Sequence, residues 1–409
     1  MKTTVPEQPR TLIVDDDPYV GEYVKDVLTA AGLTPVWHFD PIQGLAAAQQ
    51  GLYDVILLDV MMPGMDGLTF LRKLKEVDSK IEVIMLTARG EANIVERAIR
   101  LGAFEYLVKP TSIQKILATI RAAMTRRVQS EGETPKPVPV GSIERGFLAA
   151  GQHSADLLTT ARRISAYSST VLITGPEGTG KRHLARVIHQ LSGRPQSKMV
   201  EVDLAGLPKA GIENAILAGL GPWTGPSGGE VGALKRADGG TLILAHVELL
   251  PLPVQELLLT LIDVGQLLEP PYEDDDYLDV HLVATSSVDL GERVHTGRLL
   301  EDLRMRLQVV EFKTSPLASR IEEVLPLATY ILKAEAIGSG KFITGMGAGV
   351  ERLLLSYPWP GNVAELVDVI ALAVRGVSGG TLTVADLPAS VRDHGKEQGY
   401  HAAEAFLKS

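Results

Sequence analysis

The sequence predicts an α/β protein made of two successive domains, each built on a parallel sheet, and three features lead there. Short apolar runs alternate with helix-period segments from Thr11 to Met124. A second apolar strand, Thr170 to Thr174, runs into the glycine turn Gly175-Pro176-Glu177-Gly178-Thr179-Gly180-Lys181. Between the two lies a polar, proline-spaced stretch from Arg126 to Pro139, which has the composition of an extended linker. Strands that alternate with helices form parallel sheets covered on both faces.

In the first domain the runs Thr11 to Val14, Asp54 to Leu58, Glu82 to Leu86 and Tyr106 to Val108 are short and strand-like. Val20, Tyr23, Val24, Val27 and Leu28 fall at helical spacing, as do Ile113, Ile116, Leu117, Ile120 and Met124 at the domain's end. Asp15 and Asp16 close the first strand, Asp59 the next recognisable one, Thr87 the third and Lys109 the last. The carboxyl ends of parallel strands share one rim, so these five side chains are expected in a single crevice.

Their chemistry is complementary. Three carboxylates repel one another unless a hard cation such as Mg²⁺ sits among them, and that ion would also offset the charge of a phosphoryl group. Asp59 is the expected nucleophile, because Met61-Met62-Pro63-Gly64-Met65-Asp66-Gly67 after it reads as an exposed loop with room for a donor. Lys109 can pair with phosphoryl oxygens, and Thr87 can donate a hydrogen bond to one.

The second domain's strand, glycine turn and helix set Gly175, Gly178, Thr179, Gly180, Lys181 and Arg182 for phosphate binding. Backbone N–H groups at a helix start cradle phosphates while the lysine reaches the terminal ones. Position 182 is Arg, where a Ser or Thr hydroxyl usually holds Mg²⁺. A nucleotide is the expected occupant.

Composition narrows the function. The chain has 409 residues, more than one core, and its 45% hydrophobic content excludes general disorder. A formal net charge of -10 argues against a sequence-independent grip on nucleic acid. There is no cysteine, hence no disulfide framework and no thiolate metal site. No run approaches the roughly 18 apolar residues of a membrane span, and Met1 to Arg10 has two prolines and no apolar core. A cytoplasmic protein is expected.

Val14-Asp15-Asp16-Asp17, Leu58-Asp59-Val60-Met61-Met62-Pro63-Gly64-Met65-Asp66-Gly67, Leu86-Thr87-Ala88 and Tyr106-Leu107-Val108-Lys109-Pro110 resemble the motifs of a response-regulator receiver domain, a flavodoxin-like doubly wound sheet. The resemblance implies that a sensor histidine kinase phosphorylates Asp59. It also implies that the Met61 carbonyl joins Asp15, Asp16 and Asp59 around Mg²⁺, and that Tyr106 is the aromatic switch. From about Gly146 to Val391 the chain resembles the AAA+ domain of sigma-54-dependent activators of the nitrogen-regulatory class. Thr170-Val171-Leu172-Ile173-Thr174-Gly175, Ala237-Asp238-Gly239-Gly240-Thr241-Leu242, Asp302-Leu303 with Arg306-Leu307, and Tyr357-Pro358-Trp359-Pro360-Gly361-Asn362-Val363 carry it. The expected division is a receiver at 1–124, a linker at 125–145, the AAA+ α/β part at 146–315, a helical lid at 316–391 and a tail at 392–409.

The departures from that family bear on function. Its strand after Gly-Gly-Thr ends in Asp-Glu, the acids that orient metal and activate water, whereas this sequence reads Leu242-Ile243-Leu244-Ala245-His246. Glu248, two residues further along a strand, would sit about 6–7 Å away and is not expected to substitute. The first arginine finger aligns with Leu300 and only the second, Arg306, remains; the sensor asparagine aligns with Ser286 and the lid arginine with Ala364. The sigma-54 contact loop is partly kept as Trp223, Thr224 and Gly225 between prolines 222 and 226. Glu273-Asp274-Asp275-Asp276 reads as a solvated acidic loop. Family members usually add a helix-turn-helix, but little follows Leu387-Pro388, so direct sequence-specific DNA binding is not expected.

The expectation is therefore a phosphorylation-controlled regulator of sigma-54 transcription whose AAA+ part binds nucleotide without hydrolysing it. Such a part would act on copies of itself, on an active AAA+ activator or on sigma-54 polymerase. Two alternatives stay open: an active ATP-hydrolysing activator without its DNA-binding domain, and a receiver that only drains phosphate from a kinase.

Overall fold

The computed structural model describes residues 10–50, 52–78, 81–87, 97–98, 101–109, 111, 113–129, 138–165, 170–218, 231–264, 278–377 and 380–394. The chain forms two compact units, one of Met1–Pro135, Arg163–Ile173 and Ile188–Phe312, the other of Lys136–Arg162, Thr174–Val187 and Lys313–Ser409.

In the first unit, β1 (Arg10–Val14), β2 (Thr34–His38), β3 (Val55–Asp59), β4 (Glu82–Thr87) and β5 (Glu105–Val108) form a parallel sheet in the order β2-β1-β3-β4-β5. Every residue of β3 is buried, as its unbroken Val-Ile-Leu-Leu run requires of a strand covered on both faces. The strand order reverses between β1 and β3, and such switch points open a crevice beyond the carboxyl ends. The sequence reading missed β2, because Thr34-Pro35-Val36-Trp37-His38 carries a proline and little alternation. As an edge strand β2 tolerates Pro35.

Aspartates start the helices around this sheet. Asp17 accepts from the amides of Tyr19 and Val20, Asp40 from Ile42 and Asp66 from Thr69, each satisfying an N–H the helix leaves open. Losing such a cap costs about 1 kcal/mol. The helix Gly67–Val77 starts tight against β3: a Cβ on Gly67 would lie 2.3 Å from the Asp59 carbonyl oxygen. The last receiver helix, Ile113–Gln129, buries Ile116, Ile120 and Met124 and continues past Met124.

In the second unit β6 (Ile143–Glu144) and β7 (Phe147–Leu148) form a small antiparallel hairpin. In the first unit a further five-stranded sheet runs through β8 (Val171–Thr174), β9 (Met199–Asp203), β10 (Gly240–Ala245), β11 (Val280–Ser286) and β12 (Val310–Lys313), in the order β12-β8-β11-β10-β9. Leu242 and Leu244 of β10 are fully buried in a core with Val254, Leu258, Leu303 and Leu307. Each such side chain contributes roughly 1.5–3 kcal/mol by leaving water. β10 stops at Ala245 because His246 takes a left-handed backbone, φ 62 and ψ 49, and Val247–Leu249 form a 3-10 turn. This corrects the expectation that Glu248 lies two residues further along the same strand.

The second unit's helical core surrounds Trp359, which is 1% exposed and packs with Leu317, Val324, Val350, Leu366, Ile370 and Val374. The Trp359 indole N–H donates to the Leu354 carbonyl at 2.8 Å, and Tyr357 meets its ring edge-on at 5.0 Å. β13 (Ile343–Met346) and β14 (Gly380–Leu382) pair in parallel beside it.

Candidate functional site

The receiver crevice brings the predicted residues together at strand ends. Lys109, just past β5, places its Nζ 2.5 Å from Asp15 Oδ2 and 2.5 Å from Asp59 Oδ1. Asp59 Oδ2 accepts from the Met61 amide at 2.7 Å, and Asp15 Oδ1 accepts from the Asp17 amide at 3.0 Å. Burial pushes the Asp59 carboxyl above the usual carboxylate range, with Asp15 adding to the shift and Lys109 and the Met61 amide opposing it. Burial also pulls on the Lys109 ammonium, but the hydrogen bonds and charges of Asp15 and Asp59 outweigh it and hold the group above an ordinary lysine.

Thr87, at the end of β4, is 2% exposed, and Tyr106 on β5 is 5% exposed. Tyr106 is paired in register with Met85, two residues before Thr87, so Thr87 and Tyr106 share one face of the sheet. Asp16 is half-buried and Met61 exposed. Among the described residues no three His, Asp or Glu side chains converge as a metal-binding group. The donors nevertheless suit Mg²⁺, which takes hard oxygen ligands, commonly one or two carboxylates with several waters.

The glycine loop lies in the second unit between β8 and the helix Lys181–Leu191. Lys181 Nζ donates to the carbonyls of Gly175 and Pro176 at 2.8 Å each. The Thr179 hydroxyl bonds the Pro176 carbonyl at 2.8 Å and the Thr314 hydroxyl at 2.7 Å. Gly178 has φ 73, and a Cβ there would lie 2.1 Å from the Gly361 carbonyl oxygen, so only glycine fits. Arg182 points its side chain to an exposed position. This cradle of glycines, backbone and one lysine fits the phosphates of a nucleotide.

Sequence reading overlooked the groups that hold the cradle. Arg320 Nη2 donates to the Thr179 carbonyl at 3.2 Å and Nη1 to Glu323 at 2.8 Å; Glu323 in turn accepts from the Ser154 hydroxyl at 2.8 Å. Arg320 and Glu323 are 6% and 0% exposed, although three residues apart on a polar segment they look like a surface pair. Asn362, at the start of the helix Asn362–Gly376, donates to the Glu177 carbonyl at 2.7 Å. Burial alone marks out Arg320 and Glu323, whereas Asn362 belongs to a family motif that gives it no role of its own.

At the end of β10 in the first unit, Ala245 offers no ligand. His246 is flanked by two carboxylates, with Nδ1 3.4 Å from Glu248 Oε1 and Nε2 3.9 Å from Asp203 Oδ1. Glu248 is 7% exposed and its Oε2 has no hydrogen-bond partner. The Ser286 hydroxyl is spent on its own turn, donating to the Val288 carbonyl at 3.0 Å. Leu300 precedes the helix Glu301–Leu307, which carries half-buried Arg306 in its last turn. Ala364 is exposed. Trp223, Thr224 and Gly225, and Glu273 to Asp276, lie outside the described residues.

A phosphoacceptor crevice on a doubly wound sheet, joined to a phosphate-binding loop with a helical lid, defines a two-domain signalling protein. Comparison with known proteins agrees. Residues 11–121 match the response regulator receiver domain, 147–313 the sigma-54 interaction domain and 318–404 the AAA+ ATPase lid domain. The DNA-binding transcriptional regulator NtrC of Salmonella typhimurium is 31% identical over 377 residues, 92% of this chain and 80% of NtrC. The response regulator protein FleR of Pseudomonas aeruginosa is 32% identical over 380 residues, 92% of this chain and 78% of FleR. The crystal structure of NtrX from Brucella abortus in complex with ATP has a TM-score of 0.52 and 25% identity, covering 94% of this chain and 85% of NtrX. The chain belongs to the NtrC family of response regulators with a sigma-54 interaction domain. Among the described residues no helix is long and apolar enough to cross a membrane.

Proposed function

We propose that this response regulator accepts a phosphoryl group at Asp59 and passes the signal to an AAA+ domain that holds nucleotide without hydrolysing it. For the input step, a phosphohistidine of a sensor kinase is the donor. An Asp59 carboxylate oxygen attacks phosphorus, the P–N bond breaks and the kinase imidazole leaves with the electron pair. Lys109, already bound to Asp59, is placed to pair with the phosphoryl oxygens, and Thr87 to donate a hydrogen bond. Mg²⁺, held by Asp15, Asp16, Asp59 and the Met61 carbonyl, would offset phosphoryl charge. Buried Tyr106, on the face of Thr87, is the residue through which that hydrogen bond would be sensed.

The observation that carries the output reading is the end of β10. Ala245 there brings no oxygen for a metal, and His246, with Glu248 at 3.4 Å and Asp203 at 3.9 Å, stands where the family places the acid that activates water. Losing a positioned base costs about 10²–10⁴-fold, and Leu300 in place of an arginine finger removes a group worth about 10³–10⁵-fold. The losses are not additive, but they point the same way. Nucleotide would therefore act as a structural ligand; NtrX from Brucella abortus has been crystallised in complex with ADP and with ATP. The output would be association with other copies, with an active AAA+ activator or with sigma-54 polymerase, in the cytoplasm.

A single-turnover experiment tests this. The purified chain is loaded with labelled ATP and Mg²⁺, and the bound nucleotide is recovered over hours. Intact ATP is expected, and conversion to ADP within minutes overturns the reading.

A further inference from the structure

Five consecutive carbonyls of the glycine loop are engaged. Those of Gly175 and Pro176 take the Lys181 ammonium at 2.8 Å each. Glu177 takes the Asn362 amide at 2.7 Å, Gly178 the Ala364 backbone N–H at 3.0 Å and Thr179 the Arg320 guanidinium at 3.2 Å. The last three donors all belong to the segment that matches the lid domain. In an anion-binding nest successive N–H groups converge on the face opposite the carbonyls. Donors that pin the carbonyls outward therefore aim the amides inward.

We propose that Asn362 is a positioning residue for phosphate binding, acting through the Glu177 carbonyl to hold the nest in its binding shape. Its side chain is 5% exposed and fixed at both ends: Oδ1 accepts from the Leu317 amide at 2.8 Å, which directs Nδ2 to Glu177. Its backbone is left-handed, φ 56, a conformation asparagine tolerates better than most residues. The approach is close enough that Gly178 has no space for a Cβ beneath Gly361. Position 364, in the first turn of the same helix, is alanine and brings no cation. The lid segment thus acts on the bound phosphates through the loop's backbone. This inference rests on the nucleotide-binding reading above.

The test is calorimetric titration of ADP and of ATP into the full chain and into Asn362→Asp and Asn362→Gly. Both variants lack the side-chain N–H; Asp keeps the acceptor for Leu317 but adds a charge, while Gly suits the left-handed backbone and adds none. Both are expected to weaken ADP and ATP by roughly 5- to 100-fold, the same factor for each nucleotide, because a carbonyl is left without its donor. The unfolding temperature of each ligand-free variant is measured alongside, and the titrations are run well below it. Unchanged affinity in both variants overturns the proposal, and so does weakening confined to Asp, which would be a charge effect. A parent chain that binds neither nucleotide overturns the nucleotide-binding reading together with this one; a parent that binds while both variants match it overturns this one alone.

Discussion

Replacing Glu323 by Gln tests whether the ion pair under the glycine loop holds the second unit together. Glu323 is fully buried, and its Oε1 accepts from the Ser154 amide at 3.1 Å and the Ser154 hydroxyl at 2.8 Å, while Oε2 accepts from Arg320 Nη1 at 2.8 Å. A glutamine must turn its NH₂ either toward the guanidinium or toward the Ser154 N–H, so a donor meets a donor in both orientations. Arg320 is left as a buried cation whose Nε already has no partner. Breaking a buried pair by removing one charge costs about 3–5 kcal/mol. For a domain of ordinary size that lowers the unfolding temperature by roughly 6–20 °C. Differential scanning calorimetry with and without ADP identifies the relevant transition as the one ADP shifts. The Arg320→Leu, Glu323→Leu double variant should lose less than the two single changes together, since no unpaired charge remains. A Glu323→Gln transition within about 2 °C of the parent, less than 1 kcal/mol converts to, would refute the argument.

Lys109→Met leaves Asp15 and Asp59 without their shared cation and should reduce acyl-phosphate labelling of Asp59 by about 10²-fold or more on a phosphate-affinity gel; undiminished labelling would contradict the placement of Lys109. Gly67→Ala forces a Cβ to 2.3 Å from the Asp59 carbonyl oxygen, so β3 and the loop after it must shift; both labelling and receiver stability should fall, and unchanged labelling would show that the contact is not tight. His189 is fully buried with Nδ1 2.8 Å from the Thr241 hydroxyl, and burial, with Arg194 adding, holds its imidazole below the ordinary range. The folded chain then binds fewer protons than the unfolded one, so stability is present above the unfolded value near ~6.5 and is lost as pH falls below it. Urea midpoints should drop between about pH 7 and 5, and His189→Gln should flatten that drop. It should not abolish it, since burial depresses His153 and His183 as well. A parent midpoint that does not change over this range would contradict the assignment.

What the sequence made legible was chemistry fixed to the ends of regular elements. Asp59 and Thr87 end β3 and β4, while Asp15 and Lys109 lie one residue past β1 and β5. Recognising the strands was therefore enough to collect them, even with β2 overlooked. The glycine loop was legible for the same reason, being a fixed join of strand to helix. Residues that depend on burial or on one backbone angle were not legible. The left-handed turn at His246 moves Glu248 off the strand and beside the imidazole, and nothing in Ala245-His246-Val247-Glu248 announces it. Asp203 enters the same neighbourhood only because β9 is the neighbour of β10. Nothing in Ser319-Arg320-Ile321-Glu322-Glu323 distinguishes a buried ion pair from a solvated one. Asn362 was visible as part of a motif, but its two bonds link segments 45 and 185 residues away.

The central claim, that the AAA+ part keeps a nucleotide cradle but not the means to cleave ATP, is tested most directly by steady-state phosphate release from Mg-ATP by the full chain beside Lys181→Ala. No turnover that depends on Lys181 is expected, although the parent binds ADP. Turnover that is sustained in the parent and abolished in Lys181→Ala would contradict it.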